Sequence, residues 1–424
     1  MLVIKNGRVV DPAVGLDEIA DVSVRRGRIA EVGKDIQAGD DDTVIDASGC
    51  VVAPGLMDAH VHFRDPGFTY KENIVTGAKA AKRGGFTTVV CMANTKPAVD
   101  NLDTLYYVIE KGESTGIHVL TCATVTMGMQ GKELVDMPVL ATHGAVGFTD
   151  DGLPIMDEAV LLQAFETAKE LHMPISLHEE DPLFIDAPGV NQGVVSEELG
   201  YGGANRTAED VMVARDCALA LHTGARVCIQ HISSKNSVEI VRTYKRLGAD
   251  IHAEATPHHF SLTEDAVREY GTMARMNPPL RTEEDRQAII EGLKDGTIDM
   301  IVTDHAPHSD EEKRLALEDA PSGIIGLETS LSLGIKNLVQ PGHLSMSELI
   351  EKMSGNPAKF YGLKPWGIRR ESPADLVIFH PEETWKVESF ESKSSNSPFV
   401  GWELPGVVKY TICDGEIVYE NRLL

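Results

Sequence analysis

Hydrophobic and polar residues alternate with a period of two near both ends of the chain, which predicts short β-strands joined by tight turns. The breaks in this alternation fall at Asn6-Gly7, Gly27 and Asp414-Gly415. Each break predicts a hairpin turn. Because neither end carries enough apolar surface for its own core, we expect one β-sandwich-like domain assembled from residues 1–52 and 366–424.

The middle of the chain, residues 53–365, has a different pattern, in which β-branched apolar runs alternate with amphipathic helical stretches. Eight such runs are present: Pro54–Phe63, Phe86–Asn94, His118–Thr126, Ala145–Asp151, Pro174–Glu179, Arg226–Ile232, Asp250–His258 and Asp299–His305. No G-x-G-x-x-G motif follows the first run, which disfavours an open dinucleotide-binding sheet. We therefore predict an α/β fold, a (β/α)₈ TIM barrel with the small β-domain attached.

Several predicted strands end in metal-binding residue types, at the barrel face where catalytic residues collect. The strand-end residues are His60 and His62, Asp150 and Asp151, His178, His231, and Asp304. His60 and His62 lie on one face of a strand, so both can reach the same ion. Neutral imidazole and carboxylate suit zinc or a related divalent ion, although the spacing does not identify the metal. His305 is expected to face the opposite way, and His258 and His259 are interpreted as packing residues.

Composition and charge exclude several classes of function. A formal charge of -26 repels nucleic acid and anionic membrane surfaces. No stretch of 18 apolar residues predicts a membrane span, and the start of the chain does not resemble a signal peptide. The six cysteines show no disulfide or C-x-x-C spacing, which favours a cytoplasmic protein with reduced thiols.

Two groups of motifs resemble the dihydroorotase family of the amidohydrolase superfamily over essentially the whole chain. The first group is His60-Val61-His62-Phe63-Arg64-Asp65-Pro66-Gly67 together with Asp304-His305-Ala306-Pro307-His308. The second group is Asn277-Pro278-Pro279-Leu280-Arg281 together with Asn94-Thr95 and Gly323–Thr329. H-x-H alone marks only the superfamily. The N-P-P-L-R segment, residues 277–281, and the D-H-A-P-H segment, residues 304–308, together favour dihydroorotase over allantoinase and hydantoinase.

The resemblance implies a binuclear site, with one or two Zn²⁺ ions per chain. It makes His60, His62 and Asp304 ligands of one ion, and His178 and His231 ligands of a second. Many family members bridge the ions with a carboxylated lysine, but no lysine lies between Lys132 and Lys169 here. By resemblance to a bacterial subgroup Asp151 takes the bridging place, with Asp150 as the local rival and a simple Asp-Asp-Gly turn as the other interpretation.

The reaction implied is the reversible hydrolysis of dihydroorotate to N-carbamoyl-aspartate in pyrimidine biosynthesis, with metal-activated hydroxide as nucleophile and Asp304 as general base and then general acid. Arg64 is expected to bind the substrate carboxylate, although a salt bridge to Asp65 is the simpler alternative. The resemblance adds further substrate-binding residues: Asn94, Asn277, His308, Ser322 and Gly323. Two long segments, Asp181–Ala204 and Ser309–Ser322, are candidate lids over the barrel mouth.

Two other functions stay open at this point. An allantoinase or dihydropyrimidinase uses the same metals on another ring. An inactive barrel would instead serve as a partner of aspartate transcarbamoylase, although inactive relatives typically lack ligands that are all present here. Relatives also suggest a homodimer, and association of an active enzyme with aspartate transcarbamoylase is a further expectation.

Overall fold

The computed structural model describes residues 1–363 and 367–421. The predicted boundary at residues 365 and 366, and residues 422–424 of the predicted C-terminal segment, lie outside the described residues. In chain order the strands are β1 (Leu2–Asp11), β2 (Leu16–Arg25), β3 (Arg28–Gly33), β4 (Thr43–Asp46), β5 (Val51–Pro54), β6 (Leu56–Val61), β7 (Phe86–Cys91), β8 (His118–Thr121), β9 (Ile175–Leu177), β10 (Val227–Ile229), β11 (Ile251–Ala255), β12 (Met300–Ile301), β13 (Leu376–Lys386), β14 (Glu403–Cys413) and β15 (Glu416–Glu420).

The α-helices lie mostly between the strands of the middle segment. In chain order they are α1 (Ile74–Arg83), α2 (Leu102–Glu113), α3 (Met137–Thr142), α4 (Glu158–Leu171), α5 (Val194–Glu198), α6 (Thr207–Thr223), α7 (Lys235–Arg246), α8 (Pro257–Ser261), α9 (Ala266–Tyr270), α10 (Glu283–Asp295), α11 (Asp310–Lys313), α12 (Ser330–Gly334), α13 (Met346–Ile350) and α14 (Asn356–Phe360). Wider π-helical turns, Ile335–Val339 and Glu351–Gly355, extend α12 and join α13 to α14.

Strands from both ends of the chain form one sheet, in the order β15-β14-β13-β5-β1-β2-β3, with β4 paired to β1. The two ends meet where β5 pairs antiparallel with β13, so that Pro54 faces Leu376. Apolar side chains from both ends pack together in one cluster that includes Ile4, Val22 and Ile412. This shared core confirms the prediction that the termini build a single β-structure.

One predicted hairpin turn is wrong. The chain does not reverse at Asn6-Gly7, because β1 continues through a bulge there and turns into β2 only after Asp11. Asn6 adopts a left-handed conformation with φ of 62°, and its N–H donates to Asp21 Oδ1 at 2.9 Å. A side chain on Gly7 would meet Val52 Cγ2 at 2.5 Å. The Asn-Gly pair therefore serves a bulge and a close approach to β5.

The barrel consists of two parallel groups of strands, β6-β7-β8 and β9-β10-β11-β12. Each predicted run except the fourth contains a regular strand. Isolated β-bridges close the barrel between these two groups of strands. They join Phe148 to Ala123 and Ile175 on one side and Val61 to His305 on the other. These contacts confirm the predicted (β/α)₈ barrel.

The fourth predicted strand is shorter than expected. Phe148 N–H donates to Pro174 O at 3.1 Å, and Thr149 N–H donates to Ala123 O at 2.9 Å. Backbone hydrogen bonds thus join this segment to the strands on both sides, but only close to Phe148. Two nearby glycines, Gly144 and Gly147, lack side chains that would favour a strand. The short strand places the Asp150-Asp151 pair directly at the barrel mouth.

Candidate metal centre and substrate pocket

A cavity of about 210 Å³ opens at the carboxyl ends of the barrel strands. The sequence-predicted residues that line it are His62, Arg64, Asn94, Asp151, His178, His231, Asn277, Asp304, His308, Ser322 and Gly323. His60, fully buried, lies beneath this cavity, within 3.6 Å of Asp304. The structure thus brings the predicted site residues together from most of the barrel strands and the loops that follow them.

The backbone leaves the regular strand conformation at several of these residues. Arg64, His231 and Asp304 have φ values of 58°, 30° and 46°, which is the left-handed region that side chains rarely adopt. Such strain is typical of positions where the surrounding structure fixes a side chain for a function. Arg64 lies beyond the end of β6 at Val61, so it does not continue the strand face of His62. A left-handed turn directs Arg64 into the cavity.

The first group of donor atoms surrounds the Nε2 atoms of His60 and His62. His60 Nε2 lies 3.4 Å from Asp151 Oδ1, and His62 Nε2 lies 3.4 Å from Asp151 Oδ2. Asp304 Oδ1 lies 3.0 Å from His62 Nε2 and 3.6 Å from His60 Nε2. Two imidazoles and two carboxylates therefore converge on one point.

The second group contains His178, His231 and the same Asp151. His178 Nδ1 and His231 Nε2 are 3.0 Å apart, and each lies 3.9 Å from Asp151 Oδ1. Two sets of donor atoms each lie within 4.8 Å of one another, close enough to bind one ion: those of His60, His62 and Asp151, and those of Asp151, His178 and His231. Asp151 thus lies between both groups.

Asp150 does not face either group. Its Oδ1 accepts hydrogen bonds from the backbone N–H groups of Val125, at 2.8 Å, and Thr126, at 3.1 Å, and its other oxygen bonds the Thr126 hydroxyl. Burial raises the pKa of Asp150, while these hydrogen bonds oppose that effect. Asp150 anchors the loop after β8, which leaves Asp151 directed into the mouth.

The residues present fit a bound divalent cation. His60 Nε2 is fully buried and has no hydrogen-bond partner, a costly arrangement unless another atom binds it. Burial lowers the pKa of His60, but the charges of Glu254 and Asp151 outweigh it and raise that pKa well above its usual value. Burial also acts against ionised Asp151, yet the neighbouring histidines hold its pKa well below the usual range. The pocket thus favours positive charge at this point.

Two carboxylates that the sequence analysis did not identify contact histidines of the donor groups, each at the ring nitrogen that points away from its group. Glu254 Oε1 lies 2.6 Å from His60 Nδ1, and Glu180 Oε2 lies 2.9 Å from His178 Nε2. A carboxylate on one ring nitrogen fixes the tautomer and leaves the other nitrogen free for a metal. The available signals were the interior-facing place of Glu254 on β11 and the spacing of Glu180 two residues after His178.

Asn94 contacts the ligand group as well as lining the cavity. Its Oδ1 lies 2.9 Å from His62 Nδ1, and its amide nitrogen donates to Asp151 Oδ2 at 3.1 Å. Both ends of the side-chain amide are therefore engaged. Its position makes Asn94 a support for two predicted metal ligands at the edge of the pocket.

Arg64 does not pair with Asp65, the alternative partner suggested by the sequence. Asp65 instead binds Lys111 at 2.5 Å and the Tyr107 hydroxyl at 2.8 Å. Arg64 Nε donates to Pro307 O at 3.3 Å, and the half-buried guanidinium faces the cavity. Because an arginine stays protonated even when burial lowers its pKa, Arg64 brings a permanent positive charge to the pocket.

His308 and Ser322 connect the end of the barrel to a loop over the mouth. His308 Nε2 lies 2.8 Å from Ser322 O, and Lys71 Nζ lies 3.1 Å from His308 Nδ1. Burial and the charges of Arg64 and Lys71 lower the pKa of His308, so its imidazole is neutral and donates through Nε2 to Ser322 O. Ser322 Oγ donates to Asn277 Oδ1 at 3.2 Å, which joins three predicted substrate-binding residues.

Gly323 has a backbone conformation that requires glycine. Its φ is 130°, and an added Cβ would lie 2.7 Å from Ala306 Cβ. Nearby, Arg275 ties together the two segments that were predicted as lids: its guanidinium donates to Leu317 O at 2.6 Å and to Pro188 O at 3.2 Å. The two loops therefore meet beside the pocket.

Three other histidines near the strand ends belong to neither donor group. His305 Nδ1 accepts from Gly326 N–H at 3.2 Å, and its Nε2 lies 3.4 Å from Glu72. His259 Nε2 lies 3.0 Å from Pro278 O, while His258 is buried beside it. The contacts of His305 and His259 are therefore with residues outside the two donor groups.

Comparison with known proteins identifies relatives along the entire chain. A family profile described as Dihydro-orotase-like matches residues 49–237. The chain is 61% identical to the dihydroorotase of Clostridioides difficile (strain 630), covering 99% of this chain and 100% of that one. It is 53% identical to the dihydroorotase of Clostridium acetobutylicum, covering 100% of both chains.

Solved structures of related enzymes have the same fold. L-hydantoinase (dihydropyrimidinase) from Arthrobacter aurescens has a TM-score of 0.87 at 27% identity, covering 99% of this chain and 96% of that one. D-hydantoinase (dihydropyrimidinase) from Thermus sp. has a TM-score of 0.84 at 24% identity, covering 98% and 95%, which shows the fold alone. Within the described residues no helix has the length and apolar character needed to cross a membrane.

Proposed function

The chain belongs to the dihydroorotase family and is a cyclic amide hydrolase that interconverts dihydroorotate and N-carbamoyl-aspartate, and we propose that a binuclear zinc centre at the barrel mouth carries this reaction. In this centre His60, His62 and Asp304 would hold one ion, and His178 and His231 would hold the second. Asp151, which lies between the two groups, would contribute a ligand to both. The observation that carries the proposal is the pair of buried donor groups that share Asp151, beside the unpartnered Nε2 of His60.

Zinc bound in this way would supply an activated water molecule as the nucleophile and polarise the scissile carbonyl. The Asp304 carboxylate is placed to take a proton from the attacking water and to give it to the ring nitrogen as the amide bond breaks. Its position beside His62, at the edge of the cavity, supports this double role. In the direction of ring closure the same proton transfers run in reverse.

The substrate is an anion, so its carboxylate needs a counter-charge in a protein of net charge -26. Arg64 supplies it, since a planar guanidinium can form two parallel hydrogen bonds with a carboxylate. Asn94, Asn277 and His308 form the surrounding polar wall, and backbone groups of Ser322 and Gly323 contact the pyrimidine ring. Closure of the two loops that Arg275 joins excludes water and strengthens these charge interactions.

The two alternatives are less well supported. Hydantoinases and dihydropyrimidinases have the same fold, but their identity to this chain is far lower than the 50–61% seen with dihydroorotases. Arg64 is half-buried, and no carboxylate among the described residues forms a salt bridge with it, which suits a substrate ring that bears a carboxylate. An inactive barrel would not need the complete set of donor residues.

The test is turnover of dihydroorotate by zinc-loaded protein, measured by ultraviolet absorbance, with allantoin, dihydrouracil and hydantoin as parallel substrates. Metal content is counted in the same samples. Turnover of dihydroorotate with two ions per chain is the expected result. Preferential turnover of an uncharged ring would refute the role of Arg64, and metal-loaded protein without any turnover would favour the inactive barrel.

Several broader features belong to the same proposal. We place a metal-dependent barrel domain at residues 53–365 and a composite β-domain at residues 1–52 and 366–424. The six buried, unpaired cysteines accord with a cytoplasmic location. Homodimer formation and association with aspartate transcarbamoylase stay predictions, which a sedimentation measurement with and without that enzyme would test.

A further inference from the structure

A second concentration of metal-binding side chains lies at the opposite end of the barrel from the substrate pocket. His118 is the first residue of β8, so it lies at the amino end of a barrel strand. Cys413 ends β14, Asp414 forms the turn into β15, and Asp375 immediately precedes β13. These residues come from three separate segments and meet where the barrel joins the terminal sheet.

Three of these residues have donor atoms close enough to bind one ion, and Asp375 lies beside the histidine. The donor atoms of His118, Cys413 and Asp414 fall within 4.8 Å of one another. His118 Nε2 is 3.1 Å from Asp375 Oδ2 and 3.9 Å from Asp414 Oδ2. Asp375 Oδ1 accepts the Asp414 N–H at 2.8 Å, which fixes this carboxylate with Oδ2 toward the histidine.

We propose that His118, Asp375, Cys413 and Asp414 form a peripheral site for a zinc-class divalent cation, which joins the barrel to the terminal sheet. One nitrogen, one sulfur and two oxygen donors match the ligand types and the number that tetrahedral zinc prefers. The ion would cross-link segments that are nearly 300 residues apart in the chain and so stabilise their junction.

The surroundings of the thiol fit this role. Cys413 is buried, and its thiol donates to Thr87 O at 3.8 Å. A bound divalent cation would replace the thiol proton. The side chains of His118 and Asp414 are 37% and 66% exposed, so an ion can enter from solvent.

The thiol makes this site distinguishable from the catalytic centre. Within the described part of the chain, both donor groups at the barrel mouth contain only nitrogen and oxygen atoms, whereas the peripheral group includes sulfur. A cobalt ion bound by a thiolate gives charge-transfer absorption in the near ultraviolet, and cobalt bound by nitrogen and oxygen alone does not. Cobalt therefore reports on the peripheral site while the mouth is also occupied.

The experiment strips the full chain of metal with a chelator, refills it with Co²⁺ and follows the thiolate-to-cobalt absorption. The expected result is a band that saturates at one ion per chain beyond those bound at the mouth. Cys413→Ser abolishes this band, and Cys50→Ser, a change at another buried cysteine of the β-domain, leaves it intact. His118→Gln weakens Co²⁺ binding by more than about tenfold, because even indirect partners of metal ligands have effects of that size.

Two results would overturn the proposal. One is the lack of a thiolate band in folded wild-type protein at saturating Co²⁺, which would mean that the cluster is only a hydrogen-bonded network. The other is a band that persists in Cys413→Ser or in His118→Gln at unchanged affinity. If Cys413→Ser fails to fold, the wild-type spectrum and the His118→Gln titration still decide the question. Dihydroorotate turnover by His118→Gln is expected to stay at the wild-type level, which separates this site from the catalytic centre.

Discussion

Histidine and carboxylate side chains cluster at both ends of the barrel, but the two clusters differ in how deeply they are buried. At the mouth His60, Asp151 and His231 are at most 4% exposed, and carboxylates or amides behind the histidines fix the ring orientations. At the opposite end Asp414 and His118 are open to solvent, and only Cys413 is buried. Burial strengthens charge interactions, so the mouth is suited to chemistry and the opposite end to structural cross-linking.

The largest expected effect comes from Asp304→Asn at the mouth. Loss of the proton-transfer group should lower kcat for dihydroorotate by roughly 100- to 10,000-fold, the usual contribution of a general acid or base. Steady-state kinetics with metal content measured on the same sample checks it. Asp310→Asn, an exposed aspartate six residues further on, is the matched control. Near wild-type turnover by the Asp304 variant would eliminate its proposed role.

Arg64→Lys is the next largest change. Replacing the planar guanidinium by a point charge should cost about 1.5 to 3 kcal/mol of substrate binding, which corresponds to a roughly 10- to 150-fold rise in KM. The rise should be specific to dihydroorotate. Dihydrouracil, which has no carboxylate, is the control substrate, and an equal loss for both rings would contradict carboxylate recognition.

Glu254→Gln and Glu180→Gln test the carboxylates that contact a histidine in each of the two metal-binding groups. Each should weaken metal binding by about 10- to 100-fold, because a carboxylate behind a histidine orients it and increases its basicity. Glu254→Gln should affect the ion at His60, and Glu180→Gln the ion at His178. Zinc titrations against a chromophoric chelator measure both steps. Unchanged affinity in both variants would show that these contacts are not required for binding.

The smallest effect on turnover is expected from Cys413→Ser at the other end. Its kcat/KM should equal that of wild type, but zinc should raise its melting temperature by less, because it lacks one stabilising ion. Thermal unfolding with and without zinc gives the comparison, and His118→Gln should repeat it. The same zinc-induced rise in wild type and both variants would remove the stabilising role.

The sequence could place these residues together at the barrel mouth because their positions follow a local rule. Each donor ends a β-branched strand, and parallel strands of a barrel bring their carboxyl ends to one face. The same rule located the Asp150-Asp151 pair even though the fourth strand is reduced to a bridge around Phe148. Only the structure separates the two aspartates, since Asp150 is held by Val125 and Thr126, whose proximity depends on how the neighbouring loop folds.

Several features that depend on long-range packing were not predicted. Glu254 is separated from His60 by 194 residues, so its place on β11 indicates an interior position but does not identify which ligand it supports. Asn6-Gly7 resembles a hairpin turn, but pairing with Asp21 and the close approach to Val52 make it a bulge. The cluster around His118 was missed for the same reason, because its members meet only after the terminal sheet docks on the barrel.

The central claim, that two ions share Asp151 at the barrel mouth, is tested most directly by an anomalous diffraction map of crystals of the zinc-loaded protein. We predict two peaks at the mouth, one beside His60, His62 and Asp304 and the other beside His178 and His231, with the Asp151 carboxylate between them and bound to both. A single peak at the mouth, or two peaks with Asp151 turned away from either ion, would contradict the binuclear centre.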